Sequence, residues 1–169
     1  VISTMEKTRA FIKIQDGCNR FCSYCIIPYV RGRVRSRDEE DILKEITRLS
    51  EMGYKEFVLT GIHLSSYGID RLDNTRDLYQ LIKAISKIPG VSRIRLGSLE
   101  PRIITEAFVE EISSIEQFCP HFHLSLQSGS NEVLRRMNRK YTAQEYEEKV
   151  QLLRKYFVNP AFTTDVIVG

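Results

Sequence analysis

Segments with strand-like and helix-like patterns alternate along the chain, and this alternation restricts the fold more than any other feature. The strand-like segments are residues 10–15, 56–60, 92–97, 121–126 and 161–168. The helix-like segments, with apolar residues at helical spacing, are residues 36–52, 77–88, 105–114, 131–137 and 142–157. Strands that alternate with helices form right-handed βαβ units and a parallel sheet. The pattern therefore predicts an α/β fold, either an open doubly wound sheet or part of a barrel.

Local sequence signals mark two helix starts. Ser36 with Glu39, and Thr142 with Glu145, match the capping box that opens many helices.

The last strand-like segment reaches the end of the sequence, where a parallel strand would leave its edge unpaired. We therefore interpret Gly169 as a boundary inside a larger protein.

The composition is typical of a globular protein, with 42% apolar and 28% charged residues in a chain of 169 residues, which fits one domain. No apolar run approaches the roughly 20 residues of a membrane helix, and the N-terminus lacks a secretory apolar region. We therefore expect a cytoplasmic protein with no membrane partner. The net charge of +3 does not identify a nucleic-acid binder, and the arginine-rich run 31–37 suits either phosphates or a solvated surface.

Three of the four cysteines, Cys18, Cys22 and Cys25, lie close together in the sequence, and Cys119 stands far from them. A disulfide framework would space its cysteines differently, so the cluster indicates a metal or catalytic site. The C-x3-C-x2-C spacing allows three thiolates to hold one four-iron cluster, which leaves one iron open. The alternative is a zinc-stabilised RNA-binding module whose fourth ligand is Cys119 or one of the histidines. Without such a role, we expect Cys119 to be a buried, small apolar residue.

Five blocks of sequence, in order along the chain, resemble the radical-SAM methylthiotransferases. The blocks are TRAFIKIQDGCNRFCSYCIIPYVRGRVRSR, LTGIHLSSYG, GSLEP, HLSLQSGSNEVLRRMNRKYT and TTDVIVG. The second block and the RKYT ending are most similar to the branch that acts on N6-threonylcarbamoyladenosine. The isopentenyladenosine branch and the branch that modifies an aspartate of a ribosomal protein are the alternatives.

This resemblance implies a partial (β/α) barrel of the TIM type, truncated after the fifth strand. It implies a [4Fe–4S] cluster on Cys18, Cys22 and Cys25, whose open iron binds S-adenosylmethionine. The reduced cluster would cleave this cofactor to a 5′-deoxyadenosyl radical, which leads to C2 methylthiolation of the adenosine beside the anticodon of tRNA. A flavodoxin or a ferredoxin would supply the electron.

Members of the family also carry two further domains. One is an N-terminal domain with a second [4Fe–4S] cluster, and the other is a C-terminal RNA-binding domain. The sequence contains no second set of three cysteines. The resemblance therefore implies that residues 1–169 are the radical-SAM core alone and lack full activity by themselves.

The resemblance also assigns cofactor-binding residues in the cysteine loop and at the ends of strands. They are Tyr24, Thr60, Gly61, Ser98, Glu100, Gln127, Arg139, Asp165 and Ile167. Purely structural roles are the alternatives for three of them. Tyr24 would be a core aromatic residue, Gly61 a turn glycine, and Glu100 a turn residue.

Three further polar side chains have competing interpretations. Arg139 would hold the cofactor carboxylate through a charge-assisted hydrogen bond, contact tRNA phosphate or face solvent. Asp165 would be functional or a structural acceptor at the end of the barrel. We expect His63 to be a loop residue, because the radical mechanism implied by the resemblance does not need a general base.

Overall fold

The computed structural model describes residues 9–71 and 77–168. Its strands are β1 (Arg9–Asp16), β2 (Arg35–Ser36), β3 (Glu56–Gly61), β4 (Arg93–Leu96), β5 (Ser98–Leu99), β6 (His121–Leu124) and β7 (Ala161–Thr163). Its helices are α1 (Ile27–Val30), α2 (Glu39–Glu51), α3 (Leu78–Ser86), α4 (Glu106–Ser113), α5 (Asn131–Arg136) and α6 (Ala143–Tyr156). Apart from β2, which pairs antiparallel with β1, the paired strands are parallel. The predicted α/β fold is confirmed.

The strands follow one another around a partial barrel. One sheet has the order β2-β1-β3-β4 and the other the order β5-β6-β7. Gly97 alone separates β4 from β5, and a bridge between Ile94 and Phe118 joins β4 to the segment before β6. The predicted third strand, residues 92–97, corresponds to β4, and β5 follows it directly but belongs to the other sheet. The partial barrel is confirmed, and the doubly wound alternative is wrong.

The two faces of the curved sheet differ in polarity. Apolar side chains of the outer face pack with α2, α3 and α4 into one core, and they are Ala10, Ile12, Ile14, Phe57, Leu59, Ile94, Leu96, Phe122 and Leu124. Because side chains alternate along a strand, the residues between them occupy the opposite face. We call this opposite side the concave face, and its strand residues are Arg9, Phe11, Lys13, Glu56, Val58, Thr60, Arg93, Arg95, Ser98, His121, His123 and Thr163.

The helix α2 begins later than predicted. Ser36 belongs to β2, and both its backbone N–H and its hydroxyl donate to the carboxylate of Asp70. Asp38 is the N-cap of α2, and its carboxylate accepts a hydrogen bond of 2.9 Å from the N–H of Glu40. The predicted capping box at Ser36 is wrong because the nearer aspartate is an equally good cap. The second predicted capping box, at the start of α6, is present.

The last strand is shorter than predicted, since β7 ends at Thr163. The hydroxyl of Thr164 donates to the carbonyl of Leu124 and accepts from the N–H of Leu126 at 3.0 Å. These side-chain bonds replace the backbone ladder that a longer strand would need. The segment between β3 and α3 includes residues 72–76, which lie outside the described residues.

Cys119 is buried just before β6, with 4% of its surface exposed, so its predicted role as a small apolar residue is confirmed. Its N–H donates to the carbonyl of Ile94 at 2.8 Å, which ties this segment to β4. Within the described ranges, no helix is long and apolar enough to cross a membrane.

Glu56 holds together three strands at the amino end of the sheet. Its carboxylate lies 2.8 Å from Arg9, 3.0 Å from Arg95 and 3.3 Å from Arg93. Burial would raise the pKa of Glu56, but the hydrogen bond from Arg95 and the charge of Arg9 lower it below its usual value. A carboxyl group whose pKa is lower in the folded state stabilises the fold above its unfolded pKa of roughly 4.3. That stability is lost as the pH falls through the folded pKa.

We therefore expect Glu56→Gln to reduce the free energy of unfolding by about 2 kcal/mol at pH 7, since hydrogen bonds to a charged partner are lost. The difference from the parent chain should shrink as the pH falls below about 4, because the unfolded parent chain then binds a proton at Glu56 that the folded chain does not yet bind. Urea unfolding at pH 7 and at pH 3 measures both values. Glu40→Gln, at an exposed pair with Lys44, is the control and should change little. An equal loss for Glu56→Gln at both pH values would contradict the assignment.

Candidate functional site

Three cysteines line one pocket at the carboxyl ends of the parallel strands. Cys18, Cys22 and Cys25 are free thiols in the loop that follows β1. The other residues that line this pocket are Arg20, Tyr24, Ile27, Ile62, His63, Ser98, Leu99, Glu100, Ser125 and Arg139. They come from the segments at the ends of β1, β3, β5 and β6, together with the segment after α5. Barrel folds place their active sites at this edge.

The cysteine loop is closed at its base by contacts between its two ends. The N–H of Cys18 donates to the carbonyl of Gly32 at 3.1 Å. The carboxylate of Asp16 pairs with Arg31 at 2.7 Å. Gly17 has a φ of +71°, and a Cβ on it would lie far inside van der Waals contact of the Arg33 carbonyl oxygen. Only glycine therefore fits at the point where the strand enters the loop.

The middle of the cysteine loop is fixed by the residues that follow α5. The N–H of Ser23 donates to the carbonyl of Met137 at 3.1 Å. The amide of Asn138 donates to the carbonyl of Phe21 at 2.9 Å. The three thiols are thus positioned by a segment that lies more than a hundred residues away in the sequence.

The described residues offer no site for a single metal ion. Among them, no three Cys, His, Asp or Glu side chains converge on a position for one ion. A four-iron cluster would bind each thiolate to a different iron, so its ligands need not converge on one point. The sulfur of Cys18 accepts from the N–H of Arg20, and that of Cys22 accepts from Arg139, both at 3.4 Å. The geometry gives no support to the zinc alternative.

Glu100 is 6% exposed and is held by two partners from different loops. Its Oε2 lies 2.7 Å from Nε of Arg20 and 2.7 Å from Nε2 of His63. Burial would raise the pKa of Glu100, but the His63 hydrogen bond and the Arg20 charge lower it below its usual value. Its Oε1 is buried and has no hydrogen-bond partner among the described residues. An ionised carboxylate with one unmatched oxygen fits a ligand that brings an N–H or O–H group.

The structure bears on the alternatives for Glu100 and Tyr24. Glu100 is the N-cap of a 3-10 turn, Pro101–Ile103, and its carbonyl accepts from the N–H of Ile103 at 3.2 Å, but its carboxylate makes no capping hydrogen bond and lines the pocket. Tyr24 is 46% exposed and lines the pocket, so it is not a core aromatic residue. Ser98 also lines the pocket, and its role in cofactor binding stays a prediction.

Arg139 points into the pocket, and the solvent-facing alternative is wrong. Besides its bond to Cys22, its guanidinium donates to the hydroxyl of Tyr141 at 3.0 Å and to the carbonyl of Ser125 at 3.3 Å. It also lies over the ring of Tyr141, 4.9 Å from the centroid. Burial raises the pKa of Tyr141 to about 12, so its hydroxyl stays protonated and donates to the carbonyl of Leu126 at 2.9 Å.

Two predicted cofactor residues at the end of β3 do not line the pocket. The hydroxyl of Thr60 donates to the carbonyl of Ile12 at 3.2 Å, between neighbouring strands. A Cβ on Gly61 would lie 2.8 Å from Oε1 of Gln15. That oxygen accepts from the N–H of His63 at 2.8 Å. Gly61 is therefore explained by the close approach of Gln15, and it is not a turn glycine.

Three more predicted residues lie together but away from the pocket lining. The N–H of Gln127 donates to the carbonyl of Asp165 at 3.0 Å, and the N–H of Ile167 donates to the carbonyl of Gln127 at 2.9 Å. The carboxylate of Asp165 is 71% exposed and lies 3.2 Å from Nε2 of His123. The side chain of Ile167 is 45% exposed. Their roles in cofactor binding stay predictions.

Sequence reasoning missed several pocket residues, above all Arg20, His63 and Ser125. His63 is a loop residue, as expected, but its ring also contacts Glu100 and Ser66. The position of Arg20 inside the C-x3-C spacing was an available signal. His63 and Ser125 lie within two residues of the ends of parallel strands, which is the usual place for site residues in such folds.

Residues 12–169 match the family model described as the Radical SAM superfamily. The chain is 51% identical to the threonylcarbamoyladenosine tRNA methylthiotransferase MtaB of Chlamydia pneumoniae, over 96% of this chain and 38% of that protein. It is 45% identical to the tRNA-2-methylthio-N(6)-dimethylallyladenosine synthase of Alkaliphilus oremlandii, over 95% of this chain and 34% of that protein. The chain thus spans little more than a third of the length of these relatives.

Solved structures share the fold at low sequence identity. The cobalamin-dependent S-adenosylmethionine radical enzyme OxsB, with aqua-cobalamin and S-adenosylmethionine bound, matches with a TM-score of 0.73 and 13% identity, over 93% of this chain and 23% of that one. The radical S-adenosylmethionine methyltransferase TsrM from Kitasatospora setae, with cobalamin and a [4Fe-4S] cluster bound, matches with a TM-score of 0.67 and 19% identity, over 92% and 30%. Taken with the family match across residues 12–169, the chain belongs to the radical SAM superfamily.

Proposed function

We propose that this chain is the radical-SAM core of a larger methylthiotransferase that modifies C2 of N6-threonylcarbamoyladenosine in tRNA. The observation that carries the proposal is the pocket that gathers the three cysteines of the C-x3-C-x2-C loop with Tyr24 and Glu100. The 51% identity to a threonylcarbamoyladenosine tRNA methylthiotransferase supports the substrate. The dimethylallyladenosine of the second relative is the alternative substrate.

Each pocket residue has a proposed role. Cys18, Cys22 and Cys25 would ligate three irons of a [4Fe–4S] cluster and leave the fourth iron accessible. When bound, the cluster and S-adenosylmethionine supply the one-electron chemistry that breaks an unactivated C–H bond. The unmatched oxygen of Glu100 would accept a hydrogen bond from the cofactor, and Tyr24 would contact its adenine.

Arg139 places a positive charge beside Cys22, where it would stabilise the thiolate and hold the loop around the cluster. The apolar residues Ile27, Ile62 and Leu99 line the same pocket and would exclude water from it. Because a cluster of this kind is reduced by one electron, we propose a flavodoxin or a ferredoxin as the donor.

Anaerobic reconstitution with iron and sulfide, followed by reduction and EPR spectroscopy, tests this function. We expect the signal of a reduced four-iron cluster, and we expect its shape to change when S-adenosylmethionine is added, because the cofactor binds the open iron. Metal analysis distinguishes this function from the alternative, a zinc-stabilised RNA-binding module. Stoichiometric zinc without acid-labile sulfide would identify a zinc-stabilised module and overturn the proposal.

A further inference from the structure

The concave face carries more cations than carboxylates. Its described strand residues include four cations, Arg9, Lys13, Arg93 and Arg95, and one carboxylate, Glu56. The three arginines pair with Glu56 at the amino end of the sheet, whereas Lys13 lies nearer the carboxyl end. The interior of a complete barrel is normally packed with branched apolar side chains. A charged lining of this kind instead suits a polar, anionic ligand.

Lys13 lies where the concave face meets the cysteine loop. It is beside the carboxylate of Asp16, which three cations share. Asp16 lies 2.6 Å from Lys13, 2.7 Å from Arg31 and 3.9 Å from Arg35. The side chain of Lys13 is 53% exposed. An ammonium group has three donors, and the bond to Asp16 uses one of them. Lys13 therefore keeps both charge and donors for a second anion.

The strand register places Lys13 close to the pocket. Lys13 pairs with Thr60, and Leu59, which precedes Thr60, pairs with Leu96, two residues before Ser98. Ser98 lines the pocket. Lys13 lies two residues before Gln15, whose side chain contacts the loop after β3 at the edge of the sheet. At about 3.3 Å per residue, Lys13 is therefore about 7 Å from that edge. A nucleoside held at the pocket would extend a side group of this length onto the concave face.

We infer that Lys13 binds the carboxylate of the threonylcarbamoyl group and thereby selects this nucleoside over dimethylallyladenosine. The inference rests on the proposed function. The threonylcarbamoyl group carries a carboxylate and a hydroxyl, whereas the dimethylallyl group is apolar. Placing an apolar group against Lys13 would remove water from its ammonium group without giving it a second partner, which disfavours binding.

Binding of free nucleosides to the anaerobically reconstituted chain tests the inference, because it requires no turnover. The probes are N6-threonylcarbamoyladenosine, its methyl ester, N6-dimethylallyladenosine and adenosine 5′-monophosphate, each titrated to millimolar concentration and followed by NMR. The ester removes the charge of the carboxylate and keeps its shape. We expect the acid to bind about tenfold more tightly than the ester, the gain typical of one hydrogen bond to a charged group.

The matched variants are Lys13→Met and Lys44→Met. Lys44 is an exposed lysine on α2 that also pairs with a carboxylate, Glu40 at 3.4 Å. Lys13→Met should abolish the preference for the acid and leave the affinity for the ester unchanged, while Lys44→Met should keep the preference. Because Lys13 is exposed, its replacement should leave the fold intact, which circular dichroism checks.

Four outcomes would overturn the inference. Two concern the parent chain, namely equal binding of acid and ester, or no binding of the acid. The third is an unchanged preference in Lys13→Met, and the fourth is equally tight binding of adenosine 5′-monophosphate, which would indicate a general phosphate site. None of these results alters the EPR test of the cluster. A chain that forms the cluster and does not discriminate between acid and ester would refute the role of Lys13 and leave the proposed function standing.

Discussion

Cys22→Ala should reduce the iron and acid-labile sulfide of the reconstituted chain to background, and Cys119→Ala should leave both unchanged. Cys22 lies in the pocket with the other two loop cysteines, and its sulfur accepts a hydrogen bond from Arg139. A cluster with only two remaining protein thiolates loses a ligand that nothing else in the loop replaces. Chemical analysis of iron and sulfide after reconstitution and desalting gives the measurement.

The control is well matched because both variants make the same chemical change. Cys119 is buried in the segment before β6, far from the cysteine loop in the sequence. Its N–H donates to the carbonyl of Ile94. Removing its sulfur leaves a small cavity, which lowers stability but takes no ligand from the cluster. If Cys119→Ala lost the cluster and Cys22→Ala kept it, the pocket would not be the cluster site.

Gly17→Ala should destabilise the chain by about 3 kcal/mol, through strain at a positive φ together with overpacking. At a φ of +71° the added methyl group would collide with the backbone carbonyl of Arg33, which cannot rotate away as a side chain can. The collision lies where the two ends of the cysteine loop meet. We therefore expect the loop to open and cluster retention to fall together with stability. Urea unfolding and iron analysis of the same preparation measure both effects.

Gly53→Ala separates the two causes of this effect. Gly53 also has a positive φ, +97°, but a Cβ there would meet nothing within 4 Å. This variant should cost only the conformational strain, about 1 kcal/mol, and should keep the cluster. Equal destabilisation by the two variants would mean that the contact with Arg33 is unimportant.

The parts of the fold that followed from sequence are those governed by local pattern. Alternating apolar residues in β1, and helical spacing with a capping box in α6, depend on neighbours within a few positions. The predicted helix start at Ser36 was wrong because two cap residues stand two positions apart, and the contact with Asp70 decides between them. The end of β7 likewise depends on the hydroxyl of Thr164, which no periodic pattern reveals.

In the candidate site, too, some features follow from local sequence pattern and others depend on tertiary contacts. The three cysteines and their common pocket were predicted from one spacing, and Tyr24 lies in the same short stretch. By contrast, Glu100 and His63 meet Arg20 only because three separate strands end at one edge. Asp165 was predicted from its place in an apolar strand, and it lies at an exposed position beside His123. Such pairings require the tertiary structure.

The anchoring of the cysteine loop by Met137 and Asn138 also sets an order for biosynthesis. The thiols leave the ribosome well before their anchor, because the contact between Phe21 and Asn138 spans 117 positions. At roughly 5–20 residues per second, the loop waits on the order of ten seconds before it can be fixed. Until then the emerging thiols are flexible and open to oxidation or to stray metal ions. Iron–sulfur assembly on this chain is therefore expected to follow the docking of α5, so that the cluster is delivered to a folded receptor.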